Sequence, residues 1–147
     1  MWLMATMTLQ ANLTFKPKYK SPLEEKVAKQ LEKAMCPFVY EGCKLEYKVP
    51  ARRATYKPDF VFDYSKTGIM IETKGYFRTA AARHNMVLVK ECNPTLDIRF
   101  VFQKANKPIY KGSKTTYGQW ATENGFKWAD NGVVPEEWIK EITNVQG

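Results

Sequence analysis

An α/β fold with a mixed sheet flanked by helices is what this 147-residue sequence predicts. Three observations carry the expectation. Leu23, Val27, Leu31 and Ala34 recur at helical spacing. Leu45, Tyr47 and Val49 alternate with Glu46 and Lys48 at strand spacing. The predicted order is helix, three strands, helix, strand, then small helices, which interleaves the two kinds of element. The length suits a single hydrophobic core.

Residues 1–20 contain no acid and end in Lys16, Lys18 and Lys20, with Pro17 among them. They read as an extended basic arm, mobile when unbound, ahead of one domain over 21–147. Ser21-Pro22-Leu23-Glu24 opens a helix: Ser21 caps, Pro22 suits the first helical position, and Glu24 could close a capping box. Pro37 ends it. Residues 38–49 read as one or two strands broken near Gly42. Arg52 and Arg53 follow Pro50 in a predicted loop. Residues 59–62 and 69–74 form a predicted hairpin that turns through 65–68. A helix is expected over 79–91, stopped by Asn93-Pro94, and a short apolar strand over 98–102. Two further helices are expected over 116–124, ending at Gly125, and over 135–142, starting at Pro135.

The formal net charge is +8 and the pI about 9.4. A small domain this basic suits a polyanionic partner, the plain alternative being charge kept for solubility. Cys36, Cys43 and Cys92 are odd in number and no CxxC occurs. With His84 they match no common zinc spacing, so they read as reduced thiols of a cytoplasmic protein. No apolar run reaches the roughly 18 residues a membrane span needs, and residues 1–15 make a poor signal peptide.

The chemistry centres on Pro58-Asp59, twelve residues, then Glu72-Thr73-Lys74. Side chains alternate along a strand, so Glu72 and Lys74 share a face while Ile71 and Thr73 point into the core. The hairpin brings Asp59 beside Glu72. Two carboxylates and a lysine at one place suit metal-dependent phosphodiester hydrolysis. Asp59 and Glu72, with the Thr73 main-chain carbonyl, would hold Mg2+, with Mn2+ as a substitute. One or two ions would bind, a pair lying roughly 3.5–4 Å apart. Lys74 would orient the attacking water, stabilise developing charge, or act as a base if nearby cations favour its neutral form. The bland reading is an exposed Glu and Lys on a strand, with Asp59 in a turn.

Glu24 is a second clue. At about 100° per residue it falls within the apolar arc of its helix, whereas Glu25, Lys26, Lys29, Glu32 and Lys33 fall outside. A carboxylate facing a core is costly unless paired, capped or metal-bound. Glu24 is therefore a candidate catalytic residue and metal ligand, or only a cap.

Asp59, Glu72 and Lys74 in this pattern resemble the active-site set of PD-(D/E)XK nucleases. A closer resemblance rests on longer strings. Ser21-Pro22-Leu23-Glu24, Lys29-Gln30-Leu31-Glu32, Tyr56-Lys57-Pro58-Asp59-Phe60 and Ile71-Glu72-Thr73-Lys74-Gly75 are similar to the phage endonuclease I family of Holliday-junction resolvases. So are Leu96-Asp97-Ile98-Arg99, Tyr110-Lys111-Gly112-Ser113 and Pro135-Glu136-Glu137-Trp138-Ile139-Lys140. The resemblance runs in order over 21–141. It implies a PD-(D/E)XK core in an intertwined, domain-swapped homodimer whose active sites are shared between chains. It also implies that Glu24, Asp59, Glu72 and Lys74 form that site, that Mg2+ or Mn2+ is required, and that four-way junctions and other branched DNA receive paired cuts leaving 5′-phosphates. For a phage protein the compartment would be the cytoplasm of an infected bacterium.

Basic segments point to DNA independently. Residues 73–90 and 100–120 contain no acid. Lys74, Arg78, Arg83 and Lys90 lie in the first, and Lys104, Lys107, Lys111 and Lys114 in the second. Such residues contact phosphates without reading bases. Together with Lys16, Lys18, Lys20, Arg52 and Arg53, Arg78, Arg83 and the four lysines of the second segment are the candidate DNA-binding set. Tyr110, Tyr117 and Trp120 could stack on opened bases but suit packing better. The rival readings are a restriction-type nuclease of the same superfamily and a non-catalytic architectural DNA binder.

Overall fold

The computed structural model describes residues 18–49, 52–62, 67–77 and 79–146. The expectations for residues 1–15, Lys16 and Arg78, for part of the 65–68 turn and for the Arg52 side chain fall outside these residues.

Helix α1 spans Pro22–Lys33, and the Ser21 hydroxyl accepts from the Glu24 N–H as a cap. The capping box is not closed as expected: the Glu24 carboxylate reaches back to the N–H of Lys20 rather than Ser21. Strand β1 is Val39–Tyr40, β2 Leu45–Val49, β3 Arg52–Tyr56, β4 Phe60–Val61 and β5 Ile69–Lys74. Helix α2 covers Ala80–Cys92, capped by the Thr79 hydroxyl. Strand β6 follows at Asp97–Phe102, then α3 at Tyr117–Glu123, β7 at Trp128–Ala129 and α4 at Glu136–Gln146.

The expected α/β architecture with a mixed sheet is present. A five-stranded sheet runs β1-β4-β5-β6-β7, and β2 and β3 form a separate antiparallel pair. Strand β4 pairs antiparallel with β5, which confirms the predicted hairpin, while β5, β6 and β7 run parallel. Helix α2 supplies the crossover between parallel β5 and β6. Gly68 and Gly125, at φ +68° and +78°, occupy the left-handed conformation that lets the chain enter β5 and leave α3.

Arg52 and Arg53 correct one expectation: they lie in β3, not in a loop. Val49 faces Arg52 and Leu45 faces Tyr56 across the pair. Both faces of the large sheet are covered. Met70, Phe100 and Phe102 pack towards α2, α3 and the β2–β3 pair. Ile69, Ile71 and Val101 pack against Val27 and Leu31 of α1 and Trp138 and Ile142 of α4. Strand β5 is therefore sandwiched, and a polar side chain at its end has little water around it. Tyr19, assigned by sequence to the arm, docks on this core, with its ring edge-on to Tyr40 at 4.7 Å. Cys36 is buried, Cys43 partly buried and Cys92 exposed, all as free thiols. Among the described residues no helix is long and apolar enough to cross a membrane.

Candidate active site

The antiparallel ladder stops after Phe60 pairs with Ile71, so Asp59 lies where the next residue of β4 would meet β5. The end of β5 thus offers a main-chain N–H without a strand partner. The Asp59 carboxylate takes it: Oδ2 accepts from the Thr73 N–H at 2.9 Å and from the Thr73 hydroxyl at 2.8 Å. The Asp59 N–H in turn donates to Glu72 Oε1 at 3.2 Å. Glu72 Oε1 also accepts from the Tyr56 hydroxyl, and Glu72 Oε2 faces the Lys74 ammonium at 3.2 Å. Asp59, Glu72 and Lys74 therefore meet as the spacing predicts. Asp59 is 8% exposed and Glu72 5%, which excludes the reading as solvated strand charges.

Thr73 departs from expectation. By alternation it continues the Ile69–Ile71 face, yet its hydroxyl serves Asp59 instead of only filling the core. A hydroxyl on an apolar face needs a partner, and that was the available signal. Tyr56 carries no sequence signal for this role, because only Arg52 and Arg53 at the start of its strand are assigned by sequence, and those to a loop.

Glu24 sits beside this pair. Its Oε1 accepts from the Tyr40 hydroxyl and from the Lys20 N–H at 3.2 Å. Its negative charge is close enough to help raise the Asp59 pKa. Among the described residues no three His, Cys, Asp or Glu side chains are grouped as a metal cluster. Tyr40, which orients Glu24, carried no sequence signal of its own.

Burial, and then the neighbouring Glu72, push the Asp59 carboxyl up to about 7 from its ordinary 3.8, against the lowering effect of the Thr73 N–H. Burial also raises Glu72, although Lys74 and the Tyr56 hydroxyl pull it back. Tyr56 is raised well above its ordinary value by burial and the facing Glu72. Among the described residues, two desolvated carboxylates thus share one adjacent ammonium, a local excess of negative charge that a divalent cation would relieve.

A consequence for stability follows. An acid whose folded pKa lies above its unfolded one binds more protons when folded. The Asp59 contribution is then fully favourable below about pH 4 and is lost as pH rises through about 7. Asp59→Asn should therefore stabilise the metal-free protein at pH 8 by on the order of 2–4 kcal/mol, and much less at pH 4.5. Melting curves in chelator at the two pH values measure this. An equal or lower melting temperature for the variant at pH 8 contradicts it.

The basic candidates divide. Lys18, Lys104, Lys111 and Lys114 are exposed. Lys20 is exposed and pairs with Glu41 at 2.6 Å, and exposed Arg53 lies 3.9 Å from Glu46. Such surface pairs are weak enough to yield to a phosphate. Lys107 is half-buried, with its ammonium 4.2 Å from the centre of the exposed Tyr76 ring. Arg83 is a correction: it is buried, and its guanidinium donates to the carbonyls of Phe77 and Ile109 at 2.7 and 3.0 Å. It ties α2 to two loops and is not part of the basic surface. Tyr117 and Trp120 are core residues, whereas Tyr110 is exposed.

Comparison with known proteins adds an independent observation. The profile of the family described as phage endonuclease I matches residues 4–146. Endonuclease I of Escherichia phage T7 is 43% identical over 123 residues, covering 84% of this chain and 79% of that protein. Endodeoxyribonuclease 1 of Enterobacteria phage T3 is 40% identical over 123 residues, covering 84% and 78%.

Proposed function

The chain belongs to the phage endonuclease I family, and from that premise we propose that it is a structure-selective DNA endonuclease that resolves four-way junctions and other branched DNA, leaving 5′-phosphates. The observation that carries the reading is the buried meeting of Asp59 and Glu72 beside Lys74 at the end of β5. We assign the core to the PD-(D/E)XK type, and the compartment to the cytoplasm of an infected bacterium.

The donor set fits Mg2+ or Mn2+. Two carboxylates and the Thr73 carbonyl are hard oxygen ligands, and a small hard ion completes its shell with water. One or two such ions, when bound, would acidify a water and neutralise charge on the phosphate. The chain's own groups do the rest. Asp59 and Glu72 are locked by hydrogen bonds, so their ligating oxygens need no reorganisation. Lys74, whose ammonium lies 3.2 Å from Glu72 Oε2, would orient that water or stabilise the developing charge. Lys18, Lys20, Arg53, Lys104, Lys107, Lys111 and Lys114, with Arg52, Lys16 and Arg78, would hold the phosphates of the arms. No base-reading motif accompanies them, so selectivity would come from DNA shape.

We assign the active form to a homodimer that shares its sites between chains. Glu24 and Tyr40 precede residues 50 and 51, whereas Tyr56, Asp59, Glu72, Thr73 and Lys74 follow them. The side-chain hydrogen bonds of the site stay within one half or the other. Opening the β2–β3 pair would let residues 18–49 of one chain dock on residues 52–146 of another through the same contacts, which is the economy of domain swapping.

A labelled four-way junction and a linear duplex of the same sequence, each incubated with Mg2+ or chelator, test the function. The expected result is paired cuts in the junction with Mg2+ only, with ends that a ligase can seal. Equal cutting of both substrates would favour a restriction-type enzyme, and no cutting an architectural binder. Junction affinity should also fall steeply with salt, at about −0.9 in log K per log salt for each phosphate neutralised on B-form DNA, summing to several units. A nearly flat salt titration would mean the +8 charge serves another purpose.

A further inference from the structure

Each buried carboxylate of the site has one oxygen filled by two hydrogen-bond donors of the protein. Asp59 Oδ2 accepts from both the N–H and the hydroxyl of Thr73. Glu72 Oε1 accepts from both the Tyr56 hydroxyl and the Asp59 N–H. A carboxylate oxygen has two lone pairs in its plane, so two donors occupy it. Among the described residues no hydrogen bond falls on Asp59 Oδ1, and Glu72 Oε2 meets only the Lys74 ammonium, on a stem long enough to turn aside. The two hydroxyls are firmly held. The Tyr56 ring packs against the core on one side of the sheet, and Thr73 is buried at the end of β5.

We propose that the hydroxyls of Tyr56 and Thr73 set the metal selectivity of this site, by restricting Asp59 and Glu72 to one ligating oxygen each and so favouring Mg2+ and Mn2+ over Ca2+. This rests on the metal-dependent reading of the same residues. The chemistry follows from ion size. Ca2+ gathers about six to eight oxygens and commonly takes both oxygens of a carboxylate, whereas Mg2+ wants near-octahedral geometry with single oxygens and waters. A carboxylate with one oxygen already engaged suits the second kind of ion. Tyr56 and Thr73 are then specificity-determining residues that act through the ligands rather than on DNA.

The test needs no DNA. Free Mn2+ is counted by electron paramagnetic resonance as it is titrated into protein, and Ca2+ is then added to displace it. This gives the ratio of the two affinities. Tyr56→Phe and Thr73→Val are near-isosteric, and melting curves establish that each is folded. Where one is not, the other decides. In each variant the preference for Mn2+ over Ca2+ should fall by about three- to tenfold, the scale of one hydrogen bond. Thr73→Ser, which keeps the hydroxyl, should retain the wild-type ratio. Loss of both affinities in proportion, with the ratio within about twofold of wild type, overturns the proposal even if cleavage is impaired. Failure of the wild type to take up any Mn2+ that Asp59→Asn fails to take up would overturn the metal reading itself, and the selectivity with it.

Discussion

Asp59→Ala, Glu72→Ala and Lys74→Ala should each reduce junction cleavage by roughly a thousandfold or more, while junction binding in chelator survives. The three groups meet within hydrogen-bonding reach at the end of β5. On the proposed reading, affinity would instead come from exposed lysines and arginines outside that pair. Removing Asp59 or Glu72 should even tighten binding slightly, because a buried negative charge no longer repels the phosphate. Folding must be checked in parallel, since Asp59→Ala leaves two Thr73 donors without an acceptor and Glu72→Ala does the same to Tyr56. A variant that is folded, binds junctions and cuts at the wild-type rate would remove its residue from the mechanism.

The second large effect is complementation. With Glu24 assigned to the proposed site, where Tyr40 orients it and its charge acts on Asp59, Glu24→Ala and Lys74→Ala chains should each be inactive alone. In a heterodimer with shared sites, one site combines the intact Glu24 of one chain with the intact Lys74 of the other, and the second site carries both lesions. Nicking of one strand should return to about half the wild-type site count, without paired cleavage. If Glu24 served its own chain, each site would carry one lesion and no activity would return. The single chain already places Glu24 close enough to act on Asp59, so the same contacts serve either arrangement. The proposed exchange would require opening the β2–β3 pair, so the two variants must be co-expressed or refolded together.

The parts of the fold visible in the sequence were those with strong periodicity and punctuation. Ser21 and Pro22 fixed the start of α1, Thr79 that of α2, and Thr116 that of α3, where a full capping box with Gln119 forms. Strand β3 was missed although its alternation is present: Arg53 and Thr55 are exposed, while Ala54 and Tyr56 pack inward. Pro50 and the paired arginines hid that period behind a loop-like composition. Strand β7 has two residues, too few for any period to show.

The site divided along the same physical line. Asp59, Glu72 and Lys74 are legible because strand parity and a hairpin bring them together wherever the hairpin lies. Tyr40 and Tyr56 act through hydroxyls whose partners are sixteen residues away in sequence, and only packing reveals them. Arg83 shows the converse. Charge alone does not give direction, and its position on the inner face of α2 commits it to two carbonyls.

The most direct measurement uses a supercoiled plasmid carrying an inverted repeat that extrudes as a cruciform, whose base is a four-way junction. With Mg2+ the wild-type protein should convert it to the linear form by paired cuts at the repeat. The same plasmid relaxed beforehand, so that no cruciform exists, should stay intact, as should the supercoiled form exposed to Asp59→Ala. Equal cutting of relaxed and supercoiled plasmid, or linearisation by Asp59→Ala, would contradict a structure-selective nuclease centred on Asp59, Glu72 and Lys74.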